Sequence, residues 1–336
     1  MDETDDPVRW GILGTAGIAD DAFLPALREA RDGVAVSVAS RDLARAERWA
    51  ADHGVQRAVE GYDAAVADPE VEAVYVPLPN TLHAEWTIAA LEAGKTVLCE
   101  KPLCATPAET QRVLAAARSA PGLLWEAFVF PFHEQIDRVR EVIASGAVGE
   151  VREIWSRFHF LLDDPNDIRM TAALAGGSMQ DVGCYSVRLG RLLFDAEPDL
   201  ARTIADATWL DPGLDTEVWG ALAFPGDRRL VLSCGFKSPH DAFTRVLGTR
   251  GEIRMTNPFH PEAGDTFTVK TADEEEIYPA VSSGEPSFTP AIRHIHRALR
   301  GLEAPRHLAI GEAMGNATAI ASLLSTAITD ASAGTA

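Results

Sequence analysis

Basic residues are scarce: 30 Lys+Arg stand against 50 Asp+Glu in 336 residues, a formal net charge of −20. A surface that neutralises phosphate needs Lys and Arg, so this balance argues against a nucleic-acid partner and against docking to anionic membranes. Cysteine is rare too. Cys99, Cys104, Cys184 and Cys234 form no CxxC pair and have no histidines at zinc spacing; they are expected to be reduced thiols of a cytoplasmic protein. No apolar run reaches the ~18 residues of a membrane span, and MDETDDP is acidic where a secretory signal is basic. The nine histidines are scattered, and His294 and His296, two apart on a predicted helix, face different ways, so no metal site is expected. A nucleophile elbow is missing as well, which leaves hydrolase chemistry unsupported.

What is present is a rhythm. Apolar, β-rich runs at 8–14, 34–40, 71–77, 95–100 and 123–128 alternate with helical patterns at 17–30, 42–53, 80–93 and 106–119. Strand–helix alternation of this kind builds βαβ units and a doubly wound parallel sheet covered on both faces. After Ala127 the rhythm changes. A helix at 132–145 ends at Gly146, a long strand follows at 151–162, and a helix at 178–194 begins after Gly176-Gly177. Five or so strands between 200 and 271, separated only by turn signals, predict a large, mainly antiparallel sheet. Helices near 288–301 and 309–329 close the chain. The expected organisation is an α/β chain with a cofactor domain over 1–127 and a substrate domain over 128–336. The first six residues and the closing ASAGTA are expected to be disordered.

The first strand runs into Gly14-Thr15-Ala16-Gly17-Ile18, a glycine-poor version of the dinucleotide-binding turn. Gly14 permits the tight turn, Ala16 leaves room for a pyrophosphate, and Gly17 opens a helix whose free N–H groups favour an anion. Asp20 and Asp21 are expected to point away from it. The second strand ends in Ser40-Arg41, donors suited to a 2′-phosphate, where an NAD-selective chain carries an acidic residue. NADP is therefore expected, with Asp42 leaving some tolerance for NAD; otherwise Arg41 simply pairs with a surface carboxylate. Pro77, Leu78, Asn80 and His83 lie where the third of these strands meets its helix, and Glu100-Lys101-Pro102 ends the fourth. Both segments sit at the carboxyl edge, where such sheets bind ligands. In the second half Asp181 and Tyr185, at i and i+4, share one helix face. A tyrosine near a lysine such as Lys101 can exchange a proton with an alcohol; a buried structural hydrogen bond is the alternative reading of the pair.

The segments RWGILGTAGIA, VASRD, VYVPLPNTLHAEW, CEKPLC, EAFVFPFHEQ and GGSMQDVGCYSV, in this order, resemble the Gfo/Idh/MocA oxidoreductases over essentially the whole chain. The resemblance implies an N-terminal Rossmann domain and a C-terminal α/β domain with an open sheet. The expected cofactor contacts are Gly14, Thr15, Ala16, Gly17, Ile18, Ser40, Arg41, Pro77, Leu78, Asn80, His83, Glu100 and Lys101. The resemblance further implies Lys101 as the active-site lysine, Tyr185 as acid/base and Asp181 as the aspartate one turn earlier. Phe130, His133, Arg169 and Asp181 are the expected substrate contacts. Within the family the pattern looks most like NADP-dependent aldose and dihydrodiol dehydrogenases of the D-xylose dehydrogenase type. Nucleotide-sugar 3-ketoreductases are the alternative, suggested by DDPNDIR (163–169). A non-catalytic, NADP-sensing regulator on the same fold is a further alternative. The chain departs from the family pattern at Pro131 and Glu134, which bears on substrate identity. A homodimer or homotetramer formed through the C-terminal sheet is expected.

Overall fold

The apolar runs of the N-terminal half become parallel strands in a computed structural model that describes residues 6–333, with side chains through residue 328. Strands β1 (Val8–Leu13), β2 (Gly33–Ser40), β3 (Arg57–Glu60), β4 (Ala73–Val76), β5 (Thr96–Cys99) and β6 (Leu124–Glu126) pair in the order β3-β2-β1-β4-β5-β6. Every neighbouring pair is parallel. This is the doubly wound dinucleotide-binding order, with its switch point beside β1. β4 and β5 are buried at every position, as strands covered on both faces must be. Helices α1 (Leu24–Ala30), α2 (Leu43–His53), α3 (Tyr62–Ala67), α4 (Asn80–Glu92) and α5 (Pro107–Ser119) make the connections. Thr106 caps α5, accepting from the Glu109 amide at 3.2 Å, and Pro107 fills its first turn. β3 and α3 escaped the sequence reading because β3 is a four-residue edge strand without a fully buried position.

The second half builds a different sheet. Helix α6 (Glu134–Ser145) ends at Gly146 in the left-handed region, φ 73°, and β7 (Val151–Leu161) follows. Helix α7 (Cys184–Phe194) then leads to β8 (Asp199–Asp211), β9 (Leu214–Phe224), β10 (Arg228–Gly235), β11 (Lys237–Gly248), β12 (Gly251–Met255), β13 (Thr266–Thr271) and β14 (Glu275–Pro279). The eight strands run β14-β13-β12-β11-β7-β10-β9-β8, antiparallel except where β7 meets β10. One face receives α7, whose Ser186 Oγ meets Ser156 Oγ of β7 at 2.9 Å. The other face carries a row set by strand register: Trp155 opposite Val231, Val231 opposite Ala221, and Ala221 opposite Ile204. Trp155 and Ile204 in that row are 49% and 58% exposed.

Helices α8 (Thr289–Leu299) and α9 (Ala309–Ala333) end the described chain. The single division at 127/128 read from the sequence differs from what the fold does. One compact unit comprises the chain up to Val129 together with Glu285–Met314; the other comprises Phe130–Gly284 and the chain from Gly315 on. The return is fixed by polar contacts: the Trp10 indole donates to His296 Nε2 at 2.8 Å, His296 Nδ1 lies 2.6 Å from Asp32, and Arg300 pairs with Glu72 at 2.8 Å. Part of the tail expected to be disordered, up to Ala333, continues α9. The rest of that tail and residues 1–5 lie outside the described residues.

Candidate active site

In the first unit the predicted cofactor residues gather at the carboxyl ends of β1, β2, β4 and β5. Gly14 follows β1 with φ +98°, and a Cβ there would come within 3.0 Å of Leu78 Cδ2. Glycine is therefore needed both for the backbone angle and for the close approach of the loop after β4. Thr15 and Ala16 are half-buried, Gly17 and Ile18 are exposed, and the helix begins at Gly17. Its next turn, Ala19–Phe23, is π-helical before α1 takes over. Asp20 is drawn aside, its carboxylate 2.7 Å from His53 Nε2.

At the end of β2, Ser40 Oγ accepts from the Asp42 amide at 3.2 Å. Asp42 itself caps α2, its Oδ1 accepting from the Arg45 amide at 3.1 Å. That capping role engages one oxygen of the carboxylate that the sequence reading left for a ribose. Arg41 is exposed, and among the described residues no carboxylate is paired with it.

Pro77 and Leu78 are buried in the loop after β4, and Asn80 opens α4, half-buried. His83 requires a correction. It is fully buried, with Nδ1 2.9 Å from the Pro102 carbonyl and Nε2 2.7 Å from the Leu78 carbonyl. Burial pushes its pKa below the usual histidine value against the pull of those two carbonyls. His83 is thus a clamp between the Leu78 loop and the Lys101-Pro102 turn, not a direct cofactor contact. Glu100 is likewise structural in its visible bonds. Its Oε1 accepts from the Tyr75 hydroxyl at 2.6 Å, and Oε2 faces the Lys101 amide at 3.3 Å. Tyr75 stacks on Phe23 with centroids 4.2 Å apart. Lys101, half-buried, follows directly and is joined to Pro102 by a cis peptide bond.

In the second unit Asp181 and Tyr185 lie on one continuous helix, but not a plain α-helix. Met179–Gly183 forms a π turn, closed by the Cys184 amide on the Met179 carbonyl, and α7 proper starts at Cys184. Wide turns of this kind recur at functional sites. Asp215 of β9, absent from the sequence reading, holds the start of this helix. Its Oδ2 accepts from Ser178 Oγ at 2.7 Å and from the Met179 amide at 2.8 Å. Burial raises its pKa above the usual carboxylate value, while those bonds oppose the rise. The double glycine before the helix has a steric cause. A Cβ on Gly176 would strike the Arg169 carbonyl, and one on Gly177 (φ +108°) would strike Asp215 Oδ1.

Arg169 reaches Asp181, Nε to Oδ2 at 3.0 Å, and also Asp167 at 3.2 Å. Its pKa is raised, chiefly by the charge of Asp181. The expected substrate residue Arg169 and the expected catalytic residue Asp181 are therefore partners.

Tyr185 is 5% exposed among aromatic rings: Phe158 at 5.5 Å, Phe259 at 5.2 Å and Phe130 at 6.2 Å between centroids. Its hydroxyl lies 3.2 Å from His260 Nε2. Phe130, expected to touch substrate, is 0% exposed and backs Tyr185 instead, while His133 is 2% exposed at the start of α6. Pro131 is buried beside Phe130 in a short 3₁₀ turn, and Glu134 accepts from the Ser282 amide and hydroxyl at 3.1 and 2.7 Å. Both departures from the family pattern thus serve local packing. Phe158 on β7 had no sequence signal, and Phe259 and His260 had none beyond a turn rich in proline between β12 and β13.

Residues 8–128 match the oxidoreductase family with an NAD-binding Rossmann fold, and residues 136–254 match the GFO/IDH/MocA C-terminal domain. The chain belongs to the Gfo/Idh/MocA oxidoreductase family. Among curated Gfo/Idh/MocA relatives, D-xylose 1-dehydrogenase (NADP(+)) 2 of Haloferax volcanii is 36% identical over 88% of this chain and 90% of its own. A dTDP-3,4-didehydro-2,6-dideoxy-alpha-D-glucose 3-reductase of Streptomyces violaceoruber is 34% identical over 95% of this chain and 93% of its own. Among solved structures, the 3-ketoreductase KijD10 of Actinomadura kijaniata, in complex with NADP and TDP-benzene, superposes with a TM-score of 0.87 at 30% identity. That match covers 96% of this chain and 98% of that one.

Proposed function

We propose that this chain is an NADP(H)-dependent oxidoreductase of unlinked sugars or polyols, comparable to its D-xylose dehydrogenase relative. The observation that carries the reading is Tyr185, its hydroxyl held in an aromatic cage with the carboxylate of Asp181 one turn earlier. Tyr185 is the acid/base, Lys101 favours its phenolate and orients substrate, and Asp181 orients the reacting hydroxyl. The first unit fits the cofactor: Gly14 brings the backbone close to Leu78, the helix from Gly17 presents an exposed first turn, and Ser40 and Arg41 offer donors for a 2′-phosphate. Bound NADP supplies the hydride donor or acceptor.

Around Arg169, two carboxylates meet one guanidinium. That net negative cluster suits a neutral polyol and repels a diphosphate. The second reading, reduction of a nucleotide-linked ketosugar, is favoured by the 34% identical reductase and by the superposition on KijD10. Both are tested by NADPH oxidation and NADP reduction against aldoses, diketones and nucleotide-linked ketosugars. Turnover is expected with unlinked sugars, and Tyr185→Phe and Lys101→Ala are each expected to lower it about 100-fold or more while NADP binding survives. Near-normal rates in both variants reject these roles, and failure to turn over any member of the panel favours the cofactor-sensing alternative.

We further propose a cytoplasmic homodimer or homotetramer. Support comes from the exposed Trp155, Trp219 and Ile204 on the open sheet face, an apolar surface that a second copy would cover. A monomer by solution scattering removes that expectation. Trp155→Glu is expected to weaken the assembly.

A further inference from the structure

We infer that His260 is the positioning residue through which Tyr185 exchanges its proton with water. The inference rests on the proposed acid/base role of Tyr185 and extends it. Tyr185 is 5% exposed, with Phe130, Phe158 and Phe259 as its walls. A phenol so enclosed exchanges protons with water more readily when a polar neighbour that reaches solvent carries the proton onward. His260 Nε2 lies 3.2 Å from the hydroxyl, the two rings meet edge to face at 5.4 Å, and the His260 ring is only half-buried.

Its loop is built to hold that ring still. The Asn257 side chain accepts from the His260 amide at 3.2 Å and donates to the His260 carbonyl at 2.7 Å. Asn257 Nδ2 also donates to Asp265 Oδ2 at 2.9 Å, and Asp265 Oδ2 accepts in turn from the Glu262 amide at 2.8 Å. Gln135 of α6 donates to the Asn257 carbonyl at 3.1 Å. Pro258 and Pro261 flank Phe259-His260 and restrict the backbone further. A loop merely closing a hairpin needs none of this side-chain bracing.

The proton path balances in either direction. In oxidation, the Tyr185 phenolate takes the carbinol hydroxyl proton as the carbon gives up its hydride. The new phenolic O–H bond then breaks toward His260 Nε2, and the imidazolium so formed releases a proton to water. In reduction, the phenol protonates the nascent alkoxide, and the phenolate recovers a proton from the imidazolium, which is recharged by water.

The test uses the full-length enzyme with NADP and the best substrate of the sugar panel. His260→Ala is expected to lower kcat about 100-fold, with KM and NADP affinity unchanged, and added imidazole is expected to restore at least ~10-fold of the loss. His260→Gln keeps an N–H at the hydroxyl but passes no proton, so it is expected to stay slow and unrescued. It also supplies the measurement if the alanine variant fails to fold. A His260→Gln enzyme of normal rate, or a slow His260→Ala enzyme that imidazole leaves slow, overturns the relay. Tyr185→Phe separates the two levels. If it is inactive while His260→Gln is normal, only the relay falls; if Tyr185→Phe is itself active, the acid/base assignment falls with it.

Discussion

In the parallel unit, the groups offered at the strand ends are mainly backbone: the turn at Gly14, the exposed N–H groups from Gly17 and the loop at Leu78, with Arg41 as the added charge. In the mainly antiparallel unit they are side chains on a helix and on loops, converging from β7, α7, β9 and the turn after β12. The difference follows from sheet geometry. Parallel strands all deliver their carboxyl ends to one edge, so short local motifs suffice to build a nucleotide site there. An open sheet with one covered face has no such edge, and its chemistry has to be assembled across the face from distant positions.

Three measurements press on this contrast. The largest expected effect is that of Arg41→Ala, since a charge-assisted contact to phosphate is worth about 1.5–3 kcal/mol. NADP affinity should fall roughly 10- to 100-fold while NAD affinity barely changes; equal loss for both rejects the phosphate contact and leaves the parallel unit a purely backbone site. Next comes Asp215→Ala in the other unit. It strands the Ser178 hydroxyl and the Met179 amide in a buried place, at a cost of about 1–3 kcal/mol that should appear as a drop in Tm. Turnover should fall more than NADP affinity, because the helix carrying Asp181 and Tyr185 loses its anchor.

The smallest effect is a pH response that is weaker in the second unit, where groups of opposite sign offset one another. Burial holds His83 and His294 in the first unit, and His159 in the second, below the ordinary histidine value. Their neutral forms fit the fold, so their contribution is complete above about pH 6.5 and is lost as acidification passes toward their lowered folded values. Asp215 in the second unit is raised, so its contribution is greatest below the unfolded carboxylate range and lost as pH rises through its folded value. Hydrogen exchange resolved by unit, at pH 7 and pH 5.5 and corrected for intrinsic rates, should show protection falling further in the first unit. Equal changes in both would sink the assignment.

Legibility from sequence tracked the same contrast. The Gly14 turn, Ser40-Arg41, Lys101 and the Asp181/Tyr185 spacing are local patterns, each lying within about one turn of chain. Asp215 and His260 are not, being 37 and 75 residues from Ser178 and Tyr185, the groups they serve. Nor is the return of α8 to the first sheet, which joins Trp10 and His296 across 286 positions. His83 was misread for the opposite reason. A histidine in a strand-to-helix turn looks like a ligand contact, yet this one faces inward to two carbonyls that no local pattern reveals.

The π turn at Met179–Gly183 makes chain length itself a control on the chemistry. Both ends of the segment are pinned, one by Asp215 at Ser178 and Met179, the other by the aromatic rings around Tyr185. Between fixed ends, the wide turn absorbs one residue more than regular winding would. Each residue of an α-helix turns the chain through about 100°. Deleting one residue there would rewind the helix and swing Asp181 about a quarter-turn around the axis, with no side chain replaced. If Asp181 and Tyr185 act as proposed, an insertion or deletion in this stretch is expected to lower turnover as a substitution at either residue would.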